Sequence, residues 1–197
     1  MELHAITDGK KIATELVEAI LAIADEVDYI HIREKTKQTS EVIQLVEQLL
    51  TKGIQKEKLV INDRLDVALL TGIPNVHLPG TGLPVKLVKQ KFPEIKVGVS
   101  VHSLAEAVIA AEDGADYCLF GHVFPTNSKK GVPGKGTKLL KEIVQKAGIP
   151  VLAIGGITPD NMTEVAATKV SGMAVMSAIF SAQNPKQAAK LFRKERD

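Results

Sequence analysis

The sequence predicts a minimal single-domain (β/α)8 barrel of the TIM-barrel class over residues 1–197. Three observations lead there. Short β-branched or apolar runs alternate with longer stretches of i, i+3, i+4 periodicity about eight times. Strict β-then-α order demands a parallel sheet, and eight such units predict closure. No strand runs into a GxGxxG turn or a P-loop, which argues against the doubly wound open sheet that the same alternation permits. With 197 residues, each unit has about 25, against a typical total near 250 for this fold. No extra domain, linker or low-complexity segment is expected.

Taken in order, the apolar run Leu3–Thr7 reads as the first strand, and the amphipathic stretch Lys11–Ala24 as the helix that returns the chain. Tyr29–Ile32 and Leu59–Asn62 are short and aromatic or β-branched, as buried parallel strands are, and the periodic stretches Ser40–Lys52 and Asp63–Thr71 follow them. Asp63, at the junction, reads as an N-cap. Val76–Leu78 precedes a helix opened by a proline, Pro84–Lys91. Lys96–Ser100 is followed by Leu104–Asp113, and Asp116–Phe120 by a long polar loop and then Lys138–Lys146. Pro150–Ile154 with Pro159–Ala167, and Gly172–Met176 with Pro185–Arg193, complete the eight units.

Composition excludes several classes of function. Hydrophobic residues make up 45% of the chain, enough for a full core, and the formal net charge is only +2 with the basic residues dispersed. With no Trp and two Tyr, stacking platforms for bases are not expected, and no nucleic-acid partner is predicted. No apolar run approaches the roughly 20 residues of a membrane span, and Met1–Lys10 lacks signal-peptide design, so no membrane partner and a cytoplasmic location are expected. Cys118 is the single cysteine; inside an apolar strand it reads as a buried structural thiol.

In a parallel barrel, functional residues gather in the loops after the strands. Gly155 and Gly156, after the seventh strand, let backbone N–H groups approach a ligand closely. At the eighth strand's end Met176 is followed by Ser177-Ala178, which can open a short helix facing the same point, so these two loops predict a phosphate site. The alternative is a tight turn and nothing more. Arg33 and Lys35, alternating at the end of the second strand, suit a second anion, or else form a solvated charge pair with Glu34. Asn62 and Asp63 lack a second carboxylate nearby, and the Leu78–Leu83 loop contains no acid, so no dedicated metal is expected. His4, His31, His77 and His102 each read as structural histidines. His122 differs: it follows Gly121 at the rim, precedes a polar loop, and can take and return a proton near neutrality. Its alternative is a hydrogen bond to the Thr126 or Ser128 loop.

IHIREK (Ile30–Lys35), INDRLDVA (Ile61–Ala68), VGVSVHSLAEA (Val97–Ala107), GADYCLFGHVFPT (Gly114–Thr126), PVLAIGGITPDN (Pro150–Asn161) and GMAVMSAIF (Gly172–Phe180) together resemble the thiamine phosphate synthase superfamily. The resemblance spans nearly the whole chain in order and implies a barrel binding a phosphorylated thiazole at the last two loops. The synthases carry Gln before the Arg-Glu-Lys run, a second acid after strand four, and Pro after the strand-six Gly; this chain has His31, the acid-free loop and His122. The FGHVFPT form looks like the thiazole tautomerase branch. That resemblance implies an isomerase that converts the carboxylated, non-aromatic thiazole phosphate to its aromatic form, with His122 moving the proton and no cofactor. Arg33, Lys35 or Ser100 would meet the carboxylate, and a homodimer is implied. The first alternative is a thiamine phosphate synthase, a transferase joining a pyrimidine pyrophosphate to the thiazole, whose appearance Asn62, Asp63, Thr126, Ser128 and Lys129 keep. The second is a non-catalytic protein that binds a thiamine intermediate.

Overall fold

In a computed structural model, which describes residues 1–193, eight parallel strands close into one barrel in sequence order. They are β1 (Glu2–Ile6), β2 (Tyr29–Ile32), β3 (Leu59–Asn62), β4 (Asn75–Leu78), β5 (Lys96–Val101), β6 (Tyr117–Gly121), β7 (Val151–Ile154) and β8 (Gly172–Val175). Pairing of Glu2 with Gly172 and of Ala5 with Val175 seals the sheet. The helices between them are α1 (Ala13–Ile23), α2 (Thr39–Thr51), α3 (Leu65–Thr71), α4 (Val85–Lys91), α5 (Leu104–Glu112), α6 (Gly136–Lys146) and α7 (Met162–Ala166). After β8 come a single turn, α8 (Ser177–Phe180), and then α9 (Pro185–Arg193). The predicted fold class holds; the last four residues of the predicted domain lie outside the described ones. No helix among the described residues is long and apolar enough to cross a membrane.

Local chemistry sets the helix ends. Ser103 caps α5 by accepting the Glu106 N–H at 3.2 Å, and the Glu106 carboxylate reaches back to the His102 N–H at 2.8 Å. The expected N-cap at Asp63 is not formed. Asp63 has left-handed backbone geometry at φ 67 and gives its own N–H to the His77 carbonyl. Arg64 takes the cap position with no side-chain bond, its guanidinium held instead by Asp66 and Thr39. Pro159 and Asp160 form a turn ahead of α7, so that helix is shorter than its apolar pattern suggested.

Two apolar regions result. The larger fills the space between the strands' outer faces and the helices, with Ile20, Leu45, Val67, Phe120, Leu140 and Phe180 fully or almost fully buried. The smaller lies within the barrel, where Ile6, Tyr117, Leu119, Leu152 and Ala174 meet. Cys118 is buried as expected, and burial pushes its thiol up to about 12.

Below that inner cluster the barrel is filled by rings. His4 of β1, His31 of β2 and His77 of β4 are buried. His31 lies 5.5 Å from His77, and His4 lies 6.1 Å from Tyr117 of β6, centroid to centroid. Contacts between strands that do not pair are possible only across the interior. His4 and His31 are structural, as expected, but together with His77 they form one column. His4 Nε2 meets the Glu2 carboxylate at 3.1 Å and its Nδ1 meets His31 Nε2 at 2.9 Å. Desolvation lowers all three imidazoles below their ordinary range, His77 to about 3.

Candidate active site

The barrel's C-terminal mouth opens into a cavity of about 520 Å³, within the range of small-molecule sites. Its apolar floor is the inner cluster, represented by Ile6, Leu119, Ile154 and Ala174. Around the rim the strand ends and loops supply polar groups in order: Arg33 after β2, Asn62 of β3, Ser100 of β5, then His122, Thr126, Ser128 and Lys129 after β6. Gly155, Gly156, Met176 and Ser177 close the circle from β7 and β8.

The glycine loop is shaped by close packing. Gly155 and Gly156 have φ of +101 and +65, so both adopt backbone geometry that favours glycine. A Cβ on Gly155 would overlap the His122 side chain, and one on Gly156 would lie 2.5 Å from the Pro125 carbonyl oxygen. Asn161 braces the turn at two points: its amide donates to the Gly156 carbonyl at 2.9 Å, and its Oδ1 accepts the Thr158 N–H at 2.8 Å. Backbone held this way presents amide dipoles in a fixed arrangement. The α8 segment is four residues long, too short to add a helix dipole, so the cradle consists of loop backbone and the Ser177 segment.

His122 is 4% exposed and lines the cavity. Its Nε2 donates to the Val132 carbonyl at 3.3 Å, while Nδ1 is buried without a protein partner. The bond is thus to the polar loop, at Val132 and not at Thr126 or Ser128. Thr126 instead accepts the Ser128 N–H at 3.4 Å and starts the 3₁₀ turn Asn127–Lys129.

Lys35 does not line the cavity. β2 ends at Ile32, so the strand alternation that paired Arg33 with Lys35 stops before either residue. Arg33 is fixed by its N–H to Thr7 Oγ1 at 2.8 Å and reaches the cavity, whereas Lys35 is exposed outside it. Glu34 turns inward and pairs with Lys37 at 2.5 Å, so the charge pair foreseen within the triplet does not form.

Two histidines that line the cavity, His77 and His102, are among the residues whose sequence context reads as structural. His77 lines the cavity and meets Ser100 Oγ at 2.8 Å. His102, also lining it, donates Nδ1–H to the Gly121 carbonyl at 2.8 Å, which leaves Nε2 as its free acceptor when neutral. The available signal was position: both lie at or just past a strand's C-terminal end.

Magnesium, which the likeness to the synthases implies, takes oxygen ligands, usually one or two carboxylates with substrate phosphates. Asn62 faces the cavity and Asp63 adjoins it, but the loop after β4 has no acid, and no group of three His, Cys, Asp or Glu side chains suited to a metal occurs among the described residues. These residues do not build a metal cage by themselves.

The family model described as thiamine monophosphate synthase matches residues 3–179. The chain is 35% identical over 195 residues to a thiamine-phosphate synthase of Pyrococcus furiosus, covering 98% of this chain and 94% of that protein. It is 36% identical over 204 residues to the thiamine-phosphate synthase of Methanobrevibacter smithii, covering 99% and 95%. The solved structure of a thiamine phosphate pyrophosphorylase from Pyrococcus furiosus superposes with a TM-score of 0.85 at 35% identity, covering 98% of this chain and 94% of that one.

These relatives overturn the expected isomerase. They are named as synthases, which are transferases, so the thiazole tautomerase function drawn from the FGHVFPT form is corrected. The structure supplies a physical reason for the error at His31. That position is fully buried in the ring column and does not line the cavity, so exchange there alters barrel filling and not the face offered to substrate. A single rim histidine, in turn, does not choose between reactions run over the same cradle. With its fold, its motif order and nearly all of its length shared with these proteins, the chain belongs to the thiamine monophosphate synthase family.

Proposed function

We propose that the chain is a thiamine-phosphate synthase, joining a pyrimidine pyrophosphate to a phosphorylated thiazole. The observation that carries this reading is the 35–36% identity, over nearly the full length, to proteins named for that activity, and the chemistry of the cavity agrees with it. Two anionic ends have to be accommodated. The Gly155–Gly156 loop with Ser177 offers backbone amides for the thiazole phosphate, and Arg33 after β2 and Lys129 after β6 offer cations to the diphosphate. Asn62, Thr126 and Ser128 add neutral hydrogen-bonding groups between them.

In this reaction the bond from the pyrimidine methylene to the diphosphate oxygen breaks, and the thiazole nitrogen supplies the electron pair for the new C–N bond. The residues have two tasks: to align nitrogen and methylene, and to stabilise charge developing on the leaving diphosphate. His122 lines the cavity with its Nε2 bonded to the Val132 carbonyl and its Nδ1 buried, so its part is to shape the wall beside the glycine loop and not to carry the proton of an isomerisation.

The test is product formation. Purified chain, supplied with both phosphorylated substrates and magnesium, is expected to form thiamine phosphate and pyrophosphate in equal amounts. Binding of the thiazole phosphate without pyrophosphate release would overturn the transferase reading.

A further inference from the structure

His77, Gly98 and Tyr117 stand side by side on β4, β5 and β6: His77 is in register with Gly98, and Gly98 with Tyr117. Gly98 occupies the middle because it has no side chain there, since a Cβ would overlap the Tyr117 ring. The phenol therefore lies across β5 and reaches His77 Nδ1 at 3.3 Å, with the two rings stacked at 29°. The other ring nitrogen of His77, Nε2, meets Ser100 Oγ at 2.8 Å, and Ser100 lines the cavity.

We infer that Tyr117 and His77 are positioning residues that orient the Ser100 hydroxyl as a hydrogen-bond donor into the cavity. A neutral imidazole carries one N–H and one lone pair, so the groups at its two nitrogens cannot both donate to it. His77 is neutral because desolvation in the barrel holds it at about 3, and burial pushes the Tyr117 phenol upward, so it keeps its proton. A buried O–H needs an acceptor, and His77 Nδ1 is the one Tyr117 reaches. A phenol is also the better donor of the two hydroxyls and the poorer acceptor. Tyr117 thus donates to Nδ1, the proton of His77 resides on Nε2, and Nε2–H donates to Ser100 Oγ. The Ser100 O–H is left to point at substrate, where it suits a phosphate or diphosphate oxygen. In the opposite tautomer Ser100 would spend its proton on His77 and turn only lone pairs towards an anion.

The role assigned to Ser100 rests on the reading that the cavity takes phosphorylated substrates; the tautomer does not. Long-range 15N–1H spectra of the imidazoles, recorded on the intact wild-type chain, should show His77 as the Nε2–H form. Tyr117→Phe should yield a mixture of tautomers. Ser100→Ala should raise KM for the diphosphate substrate about tenfold with a smaller change in kcat, one hydrogen bond to a charged group being lost. Tyr117→Phe should raise it in the same sense, and the double variant should be no worse than Ser100→Ala alone. Inorganic pyrophosphate, used as a binding probe, should show the same order. A wild-type Nδ1–H tautomer, or additive effects of the two substitutions, would overturn the inference. An Nε2–H tautomer in a chain that forms no product would instead remove the transferase reading and leave the orientation of Ser100 standing.

Discussion

The ring column inside the barrel makes stability depend on pH in a window where few other groups titrate. His77 has a folded value of about 3 against an ordinary 6.5, so above pH 6.5 both folded and unfolded chains hold it neutral and its contribution is fully present. As pH falls below 6.5 the unfolded chain takes up a proton that the folded chain refuses, and stability is lost progressively down towards pH 3. Between pH 7.5 and pH 5 the linkage relation makes this worth about 2 kcal/mol for His77 alone. His4 and His31 are displaced in the same direction, by desolvation first, and add to the loss. The Glu2 carboxylate, held below its ordinary 4.5 by the hydrogen bond to His4, contributes above that value and loses its contribution only at lower pH, so pH 5–7.5 isolates the imidazoles. Urea unfolding at half-unit steps would measure the slope in wild type and in His77→Gln, whose amide is uncharged throughout and can still face Tyr117 and Ser100. The variant is expected to be less stable at pH 7.5 but to lose about 2 kcal/mol less on going to pH 5. The same slope in both proteins would refute the argument that His77 is buried neutral.

Three other outcomes follow from particular contacts. Gly156→Ala places a methyl 2.5 Å from the Pro125 oxygen at φ +65; the loop must move, and affinity for inorganic phosphate or the thiazole phosphate, measured calorimetrically, should fall at least about tenfold. Phe120→Ala empties a fully buried site beneath the helices and should cost about 3–5 kcal/mol in denaturant unfolding. Asp116→Ala removes an acceptor that holds the Val97 N–H at 2.7 Å and Lys89 Nζ at 3.0 Å, and should cost about 1–3 kcal/mol by the same measurement.

The barrel was legible because each of its eight strands carries its own local signal. A short apolar run followed by a 3.6-residue period needs no knowledge of distant neighbours, and the strand-end rule brings Arg33, Asn62, His122 and Gly156 to one mouth, where they line one cavity. What could not be read were arrangements made by closure. His4, His31 and His77 look like three isolated structural histidines because nothing in the chain brings β1, β2 and β4 together except the barrel itself. Lys35 was misplaced because alternation was carried beyond Ile32, where β2 ends. Asp63 has the composition of a cap but not the backbone, since its N–H is already committed to the His77 carbonyl across to β4. Function was misjudged because the FGHVFPT form made His122 the residue that decides the reaction, whereas one rim histidine does not choose between reactions run in the same cavity.

Asn161 gives the proposed phosphate cradle a thermodynamic character of its own. Because one side chain ties both the Gly156 carbonyl and the Thr158 amide, the turn proposed to receive the phosphate is held by the protein's own bonds. Little conformational entropy remains to be lost on binding there, and the approach of a phosphate is a docking event more than a folding one. Association at this end of the cavity should therefore be governed by diffusion and charge.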